Sequence, residues 1–107
     1  MKRYGMVIKV KPGMADKYKR LHADVWPDVL KVITESNIKN YSIYFKDDYL
    51  FSYFEYIGDD YQADMKRMAA TQIIKEWWDE CIPLLHPLPD AAEGEVWTDM
   101  EEVFHLD

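Results

Sequence analysis

The segment that most restricts this chain is residues 37 to 57, NIKNYSIYFKDDYLFSYFEYI. Two β-prone runs, 37 to 46 and 49 to 57, flank the polar pair Asp47-Asp48, which predicts a β-hairpin. In the first run Tyr41, Ile43 and Phe45 share one face, and Ser42 and Tyr44 share the other. In the second, Tyr49, Phe51 and Tyr53 oppose Leu50, Phe54 and Tyr56. An antiparallel sheet with one wet face alternates apolar and polar side chains. This hairpin carries large rings on both faces, so both must be covered. Helices of the same chain can cover one. A chain of 107 residues is too short to supply a second sheet, so the other face predicts a homodimer with facing sheets.

The remaining elements fall around the hairpin. Residues 4 to 11, YGMVIKVK, predict a first strand with Tyr4, Met6, Ile8 and Val10 on one face, ended by Pro12-Gly13. From 14 to 35 apolar residues recur at helical spacing through Met14, Tyr18, Leu21, Val25, Val29 and Ile33. Pro27 interrupts that stripe. It lacks an N–H and disfavours helix at Trp26, so two consecutive helical pieces are expected, with Pro27 in the first turn of the second and His22 in the last turn of the first. Asp59 with Gln62 suits a capping box for a helix from about 60 to 69. Thr71 can cap the next helix, where Ile74, Trp77, Trp78, Cys81, Ile82 and Leu85 form a stripe. Residues 86 to 98 hold Pro87, Pro89 and Gly94 and read as a loop. MEEVFHL, 100 to 106, predicts a last strand with Met100, Glu102, Phe104 and Leu106 on one face. The order β-α-β-β-α-β is an α+β, ferredoxin-like arrangement with an antiparallel sheet, expected as one domain over 1–107.

Charge and composition narrow the partners. A net charge of −7 disfavours nucleic acid and anionic membranes, which both need concentrated basic surface. No run reaches the roughly 18 apolar residues of a membrane span. The start, MKRYGMVIKVKPG, shows no secretory pattern, so the expected location is cytoplasmic. Cys81 is the one cysteine and cannot form an internal disulfide; its apolar helical position predicts a buried thiol. Aromatics reach 15 %, with eight Tyr and four Trp, residues that pair a large apolar body with one polar atom.

The chemistry points to one region. His22 lies four residues after Tyr18, so the two stack on one helix face, the face that also carries Val25 and Val29. An imidazole there is partly desolvated, which favours its neutral form near pH 7. Two readings fit: a core histidine bonded to one carbonyl, or an acid–base group. Trp77 and Trp78 diverge by about 100° on a helix, so one can enter the core while the other lines a cleft; plain core packing fits as well. Tyr41 offers a hydroxyl from the facing strand. His22 and Asp24 point to different sides and no further His or Cys completes a set, so no metal site is expected. The four glycines are isolated, so there is no phosphate loop.

The segments YKRLHADVWPDV, NYSIYF, EWWDECIP and EEVFHL resemble the L-rhamnose mutarotase family, and the resemblance runs from Tyr4 to Leu106. It implies a cytoplasmic homodimer in which two ferredoxin-like sheets join into a dimeric α/β barrel. By position it implies His22 as the catalytic histidine, Tyr18 and Tyr41 as sugar-binding tyrosines, and Trp77 and Trp78 as the tryptophan pair. Ala23-Asp24 departs from the Asn-Pro that follows the histidine in some members; a carboxylate there could raise the His22 pKa or contact a different hydroxyl. The implied reaction interconverts α and β anomers of a 6-deoxy-L-sugar, L-rhamnose or a relative such as L-fucose, without cofactor or metal. His22 would protonate the ring oxygen and withdraw that proton on closure. Two other classes stay open: a haem-degrading or quinone-forming monooxygenase of the same barrel, and a non-catalytic sugar-binding module.

Overall fold

A computed structural model describes residues 1–107. The elements are β1 (Lys2–Val10), α1 (Ala15–Ala23), α2 (Pro27–Glu35), β2 (Ile38–Lys46), β3 (Tyr49–Tyr56), α3 (Tyr61–Ala69), α4 (Gln72–Cys81), β4 (Leu85–His86) and β5 (Thr98–Met100). All four helical pieces that the sequence implied are present, and two short strands, β4 and β5, stand where one last strand was expected. The sheet order is β2-β3-β1-β4, with β5 also on β1, all antiparallel. This is the ferredoxin-like order, with the C-terminal pieces beside the first strand.

The hairpin turns through Asp47 and Asp48, with φ of 53° and 66°. A two-residue turn with both residues left-handed matches the twist of the flanking strands, and Asp tolerates that region better than most residues. Between Lys39 and Ser42 the ladder slips by one residue, and Asn40 adopts φ of 50°. This bulge matters for the site. Ile38 and Tyr41 are three apart and would otherwise point to opposite faces; the extra residue brings both to the helix side. Asn40 is anchored by donating from Nδ2 to Glu55 Oε1 at 2.7 Å.

The break at Pro27 occurs as the sequence implied. α1 stops at Ala23, Trp26 is extended (φ −57°, ψ 131°), and Pro27 opens α2. Two apolar clusters lie between helices and sheet. One joins Ile8, Val10, Tyr18, Leu50, Leu84 and Leu85; the other joins Val29, Ile74, Trp77 and Cys81, so the thiol is buried. Leu21 packs against both.

Three local expectations are corrected. Asp60, not Asp59, caps α3: its carboxylate accepts from Ala63 N–H at 3.1 Å. Thr71 sits at the α4 cap position but its hydroxyl donates back to Arg67 O at 3.1 Å, closing the preceding helix instead. The last strand covers Thr98–Met100 rather than 100 to 106, and residues 101 to 107 form no strand. The alternation in MEEVFHL has no surface to lie on within one chain: Val103, Phe104 and Leu106 are 88, 78 and 79 % exposed. The tail is tied down by charge, through Arg3 to Glu102 at 3.0 Å.

α3 is locked to the hairpin by a polar knot. Tyr56 Oη and Asn37 Nδ2 donate to Asp64 Oδ2 at 2.5 and 3.0 Å, and Arg67 meets Oδ1 at 2.6 Å. The Asp60 N–H in turn donates to Tyr56 Oη at 3.0 Å.

Candidate active site

The helix α1 places Tyr18 and His22 one turn apart, and their rings stack with centroids 4.1 Å apart at 21°. The His22 Nδ1 lies 3.0 Å from the Tyr18 carbonyl oxygen. A carbonyl only accepts, so Nδ1 carries the proton and Nε2 is left with a lone pair. Burial lowers the His22 pKa from its ordinary 6.5, and the bond to the Tyr18 carbonyl offsets part of that. The imidazole thus bonds the Tyr18 carbonyl through one nitrogen and keeps the other unprotonated.

Trp77 meets the edge of His22, with centroids 5.3 Å apart at 63°, and Trp26 meets Trp77 at 5.1 Å and 72°. Trp77 is buried. Trp78 is half-buried and packs against the cluster that includes Trp77, Val29 and Ile74, and it makes no ring contact with His22. A cavity of about 250 Å³ opens beside the stacked pair, walled by Ala23 from α1, Ile43 and Phe45 from β2, and Leu50 from β3. Lys19 crosses its mouth, with Nζ 4.2 Å from the Phe45 ring centroid.

Tyr41 lies farther along β2 on the same face, 5.5 Å from Phe54. The residue is 41 % exposed, and desolvation pushes its hydroxyl pKa up to about 12. Burial also raises Tyr18, which further feels Tyr41 and Cys81, so the groups converge on one interior. Burial likewise lifts the Cys81 thiol to about 12, keeping it protonated and unreactive.

Two aromatic residues escaped the sequence reading. Trp26 lies four residues after His22, a helical spacing that the Pro27 break made unreliable. Tyr61 opens α3 and stacks on Tyr4 at 4.3 Å; burial pushes its pKa up to about 12, with Tyr4, Asp99 and Tyr41 adding to the rise. No periodic signal marked it. Asp24 does not act on His22: it borders a separate surface depression with Lys17 and Arg20. No group of three or more His, Cys, Asp or Glu side chains stands close enough to hold a metal ion.

Known proteins resemble the chain along its whole length. The family model for L-rhamnose mutarotase matches residues 3–106. An L-rhamnose mutarotase of Oceanobacillus iheyensis is 34 % identical over 107 residues, and one of Phocaeicola vulgatus 32 % over 109, each covering 100 % of both chains. The crystal structure of an L-rhamnose mutarotase from Formosa agariphila superimposes with a TM-score of 0.79 at 26 % identity, covering 100 % of both chains. Tetracenomycin F2 cyclase of Streptomyces glaucescens, a polyketide cyclase, shares the fold at TM-score 0.72 and 14 % identity over 100 % of this chain and 98 % of its own. On the family match and these full-length relatives, the chain belongs to the L-rhamnose mutarotase family.

Proposed function

We propose that this protein is an isomerase that interconverts the α and β pyranose anomers of L-rhamnose, with His22 as the acid–base group. The observation that carries the reading is a neutral imidazole with one free nitrogen, bordering a cavity of monosaccharide size. Ring opening removes a proton from the anomeric hydroxyl and adds one to the ring oxygen as the C1–O5 bond breaks. Both oxygens are bonded to C1, so a single Nε2 can reach both. Nε2 takes the O1 proton, C1 becomes the aldehyde carbon, and the imidazolium returns that proton to O5. Rotation about C1–C2 presents the other carbonyl face, and the reverse steps close the ring as the opposite anomer. The proton count balances without a second protein acid.

Tyr18 and Tyr41 orient sugar hydroxyls, and raised pKa values suit them to donating rather than ionising. Trp77 supplies an apolar wall for the C–H face of the ring, and Trp78 supports that wall by packing against the same cluster. Positioning and acid–base help together supply several orders of magnitude. The 107 residues act as one mutarotase domain. A homodimer is supported by the uncovered sheet face, where Tyr44 is 67 % exposed and Phe51 and Met100 also meet solvent. A cytoplasmic location suits the single reduced thiol.

The test is anomer exchange of L-rhamnose followed by NMR, wild type against His22→Ala. The wild type speeds exchange, and the folded variant loses about a hundredfold or more. A folded variant that exchanges anomers as fast as wild type removes His22 from the mechanism. Sugar binding by the wild type with no faster exchange would leave only a binding module.

A further inference from the structure

Along β3 the side chains facing the helices run Leu50, Ser52, Phe54, Tyr56. Three are large, and one is small and hydroxylated. Ser52 sits opposite Met6 on β1 and Ile43 on β2. Ile43 and Leu50 line the His22 cavity, while Phe54, the next residue along on that face, carries Tyr41. Ser52 therefore lies on this face between Leu50, which lines the cavity, and Phe54, which meets the Tyr41 ring.

The residue is 4 % exposed, yet its hydroxyl makes no hydrogen bond within the protein. Buried polar groups are nearly always partnered. Ser36, equally buried, obeys the rule by donating to Val32 O at 2.7 Å. The one fully enclosed side-chain polar atom left without a partner is Thr98 Oγ1, on the opposite face of the sheet. Ser52 Oγ is not fully enclosed in that way and keeps slight contact with solvent. A small residue in a row of large ones leaves room on the helix side of the sheet, next to Ile43 and Leu50 of the cavity wall.

We propose that Ser52 is a substrate-contacting residue whose hydroxyl bonds a ring hydroxyl of the pyranose and whose small size makes room for the ring. This rests on the mutarotase reading of the His22 cavity. A serine hydroxyl both donates and accepts, so it suits an uncharged polyhydroxylated ligand. It supplies a polar contact on the sheet side, opposite the helix-borne Tyr18 and His22.

The test compares Ser52→Ala and Ser52→Val with wild type, using NMR anomer exchange and a tryptophan-fluorescence titration with L-rhamnose and its monodeoxy analogues. Losing one neutral hydrogen bond raises KM and Kd about fivefold in Ser52→Ala, with kcat within about twofold. One deoxy sugar loses affinity with wild type but not with Ser52→Ala, which identifies the hydroxyl that Ser52 meets. Ser52→Val fills that room and loses measurable binding while its circular dichroism and melting temperature stay near wild type. Unchanged KM and Kd in Ser52→Ala, or equal penalties for every deoxy sugar in both proteins, overturn the assignment. If wild type binds the sugar without speeding exchange, the mutarotase reading falls and the Kd comparison still decides Ser52. Absence of sugar binding by wild type overturns both.

Discussion

The His22 Nδ1 lies 3.0 Å from the carbonyl oxygen of Tyr18, one turn back on its own helix. This fixes the tautomer, and burial holds the ring below its ordinary pKa of 6.5. The resting imidazole is therefore neutral near pH 7, as the proposed mechanism requires of its base. The value of kcat/KM is expected to be level at neutral and mildly alkaline pH and to fall as pH drops below 6.5 through the lowered pKa. An enzyme that needed the imidazolium at rest would show the reverse, losing activity as pH rises. A pH profile of NMR-measured anomer exchange separates the two.

The same shift links to stability. A histidine whose folded pKa is depressed binds fewer protons folded than unfolded between the two values, so stability falls as pH falls. The contribution is complete above 6.5 and is lost through the lowered folded pKa. His22→Gln cannot titrate, so its urea midpoint is expected to vary less than that of wild type across this window. Parallel curves for the two proteins would contradict the shift.

Trp26 braces Trp77, which in turn abuts His22. Trp26→Leu keeps apolar bulk but removes the edge-to-face contact, at a cost of about 0.5–1.5 kcal/mol by urea unfolding. It is also expected to lower kcat, because Trp77 then loses one side of its support. Trp26→Phe should recover most of both. An unchanged kcat in Trp26→Leu would confine this residue to packing.

Much of this arrangement was legible in the chain. Pro27 between Val25 and Val29 announced two helices on one stripe, and the two runs around Asp47-Asp48 announced the hairpin, one face of which the helices cover. The faces assigned to Tyr41, Ile43 and Phe45 were correct because alternation survives on the C-terminal side of the bulge. The bulge itself was not legible, since a left-handed Asn40 depends on its bond to Glu55, fifteen residues away. Capping failed at Asp59 because neighbouring aspartates are equivalent until the Tyr56 hydroxyl claims the Asp60 N–H. The tail failed because MEEVFHL has the alternation of a strand and no surface in its own chain to pair with. Ser52 gave no signal because one serine in a run of rings reads as a gap in the pattern, and the gap has meaning only once its neighbours Ile43 and Leu50 line the cavity.

The Asp64 knot makes a separate prediction. Hydrogen bonds from Tyr56 and Asn37, with Arg67 beside them, hold the Asp64 carboxyl below its ordinary 3.8. Stability from a depressed carboxylate is present above 3.8 and lost as pH falls through the folded pKa. Asp64→Ala is expected to melt several degrees below wild type at pH 7, with the two curves converging toward pH 2. Gly58→Ala strikes the same knot sterically, because a Cβ there would press on the Tyr56 hydroxyl and come within 2.8 Å of Asn37 Nδ2. Its expected cost is about 1–3 kcal/mol. A constant gap between Asp64→Ala and wild type at every pH would show that the carboxylate charge does not matter.

The uncovered sheet face sets the last expectation. Val7, Phe51, Tyr44 and Met100 share it by register, and the exposed Val103, Phe104 and Leu106 follow directly in the tail. Contiguous apolar surface of this kind mostly marks an interface. A second copy is the fitting cover, because two such faces related by a twofold axis bury the same residues on each other. Phe51→Asp places a charge in the middle of that face without touching the helix side. It is expected to sediment as a monomer at concentrations where wild type sediments as a dimer, with its circular dichroism retained. The salt-bridged Glu102 shows that the tail is held near Arg3, so removing residues 101 to 107 should weaken the dimer by a smaller factor. A wild type that sediments as a monomer, or a Phe51→Asp variant that stays dimeric, would place the cover elsewhere.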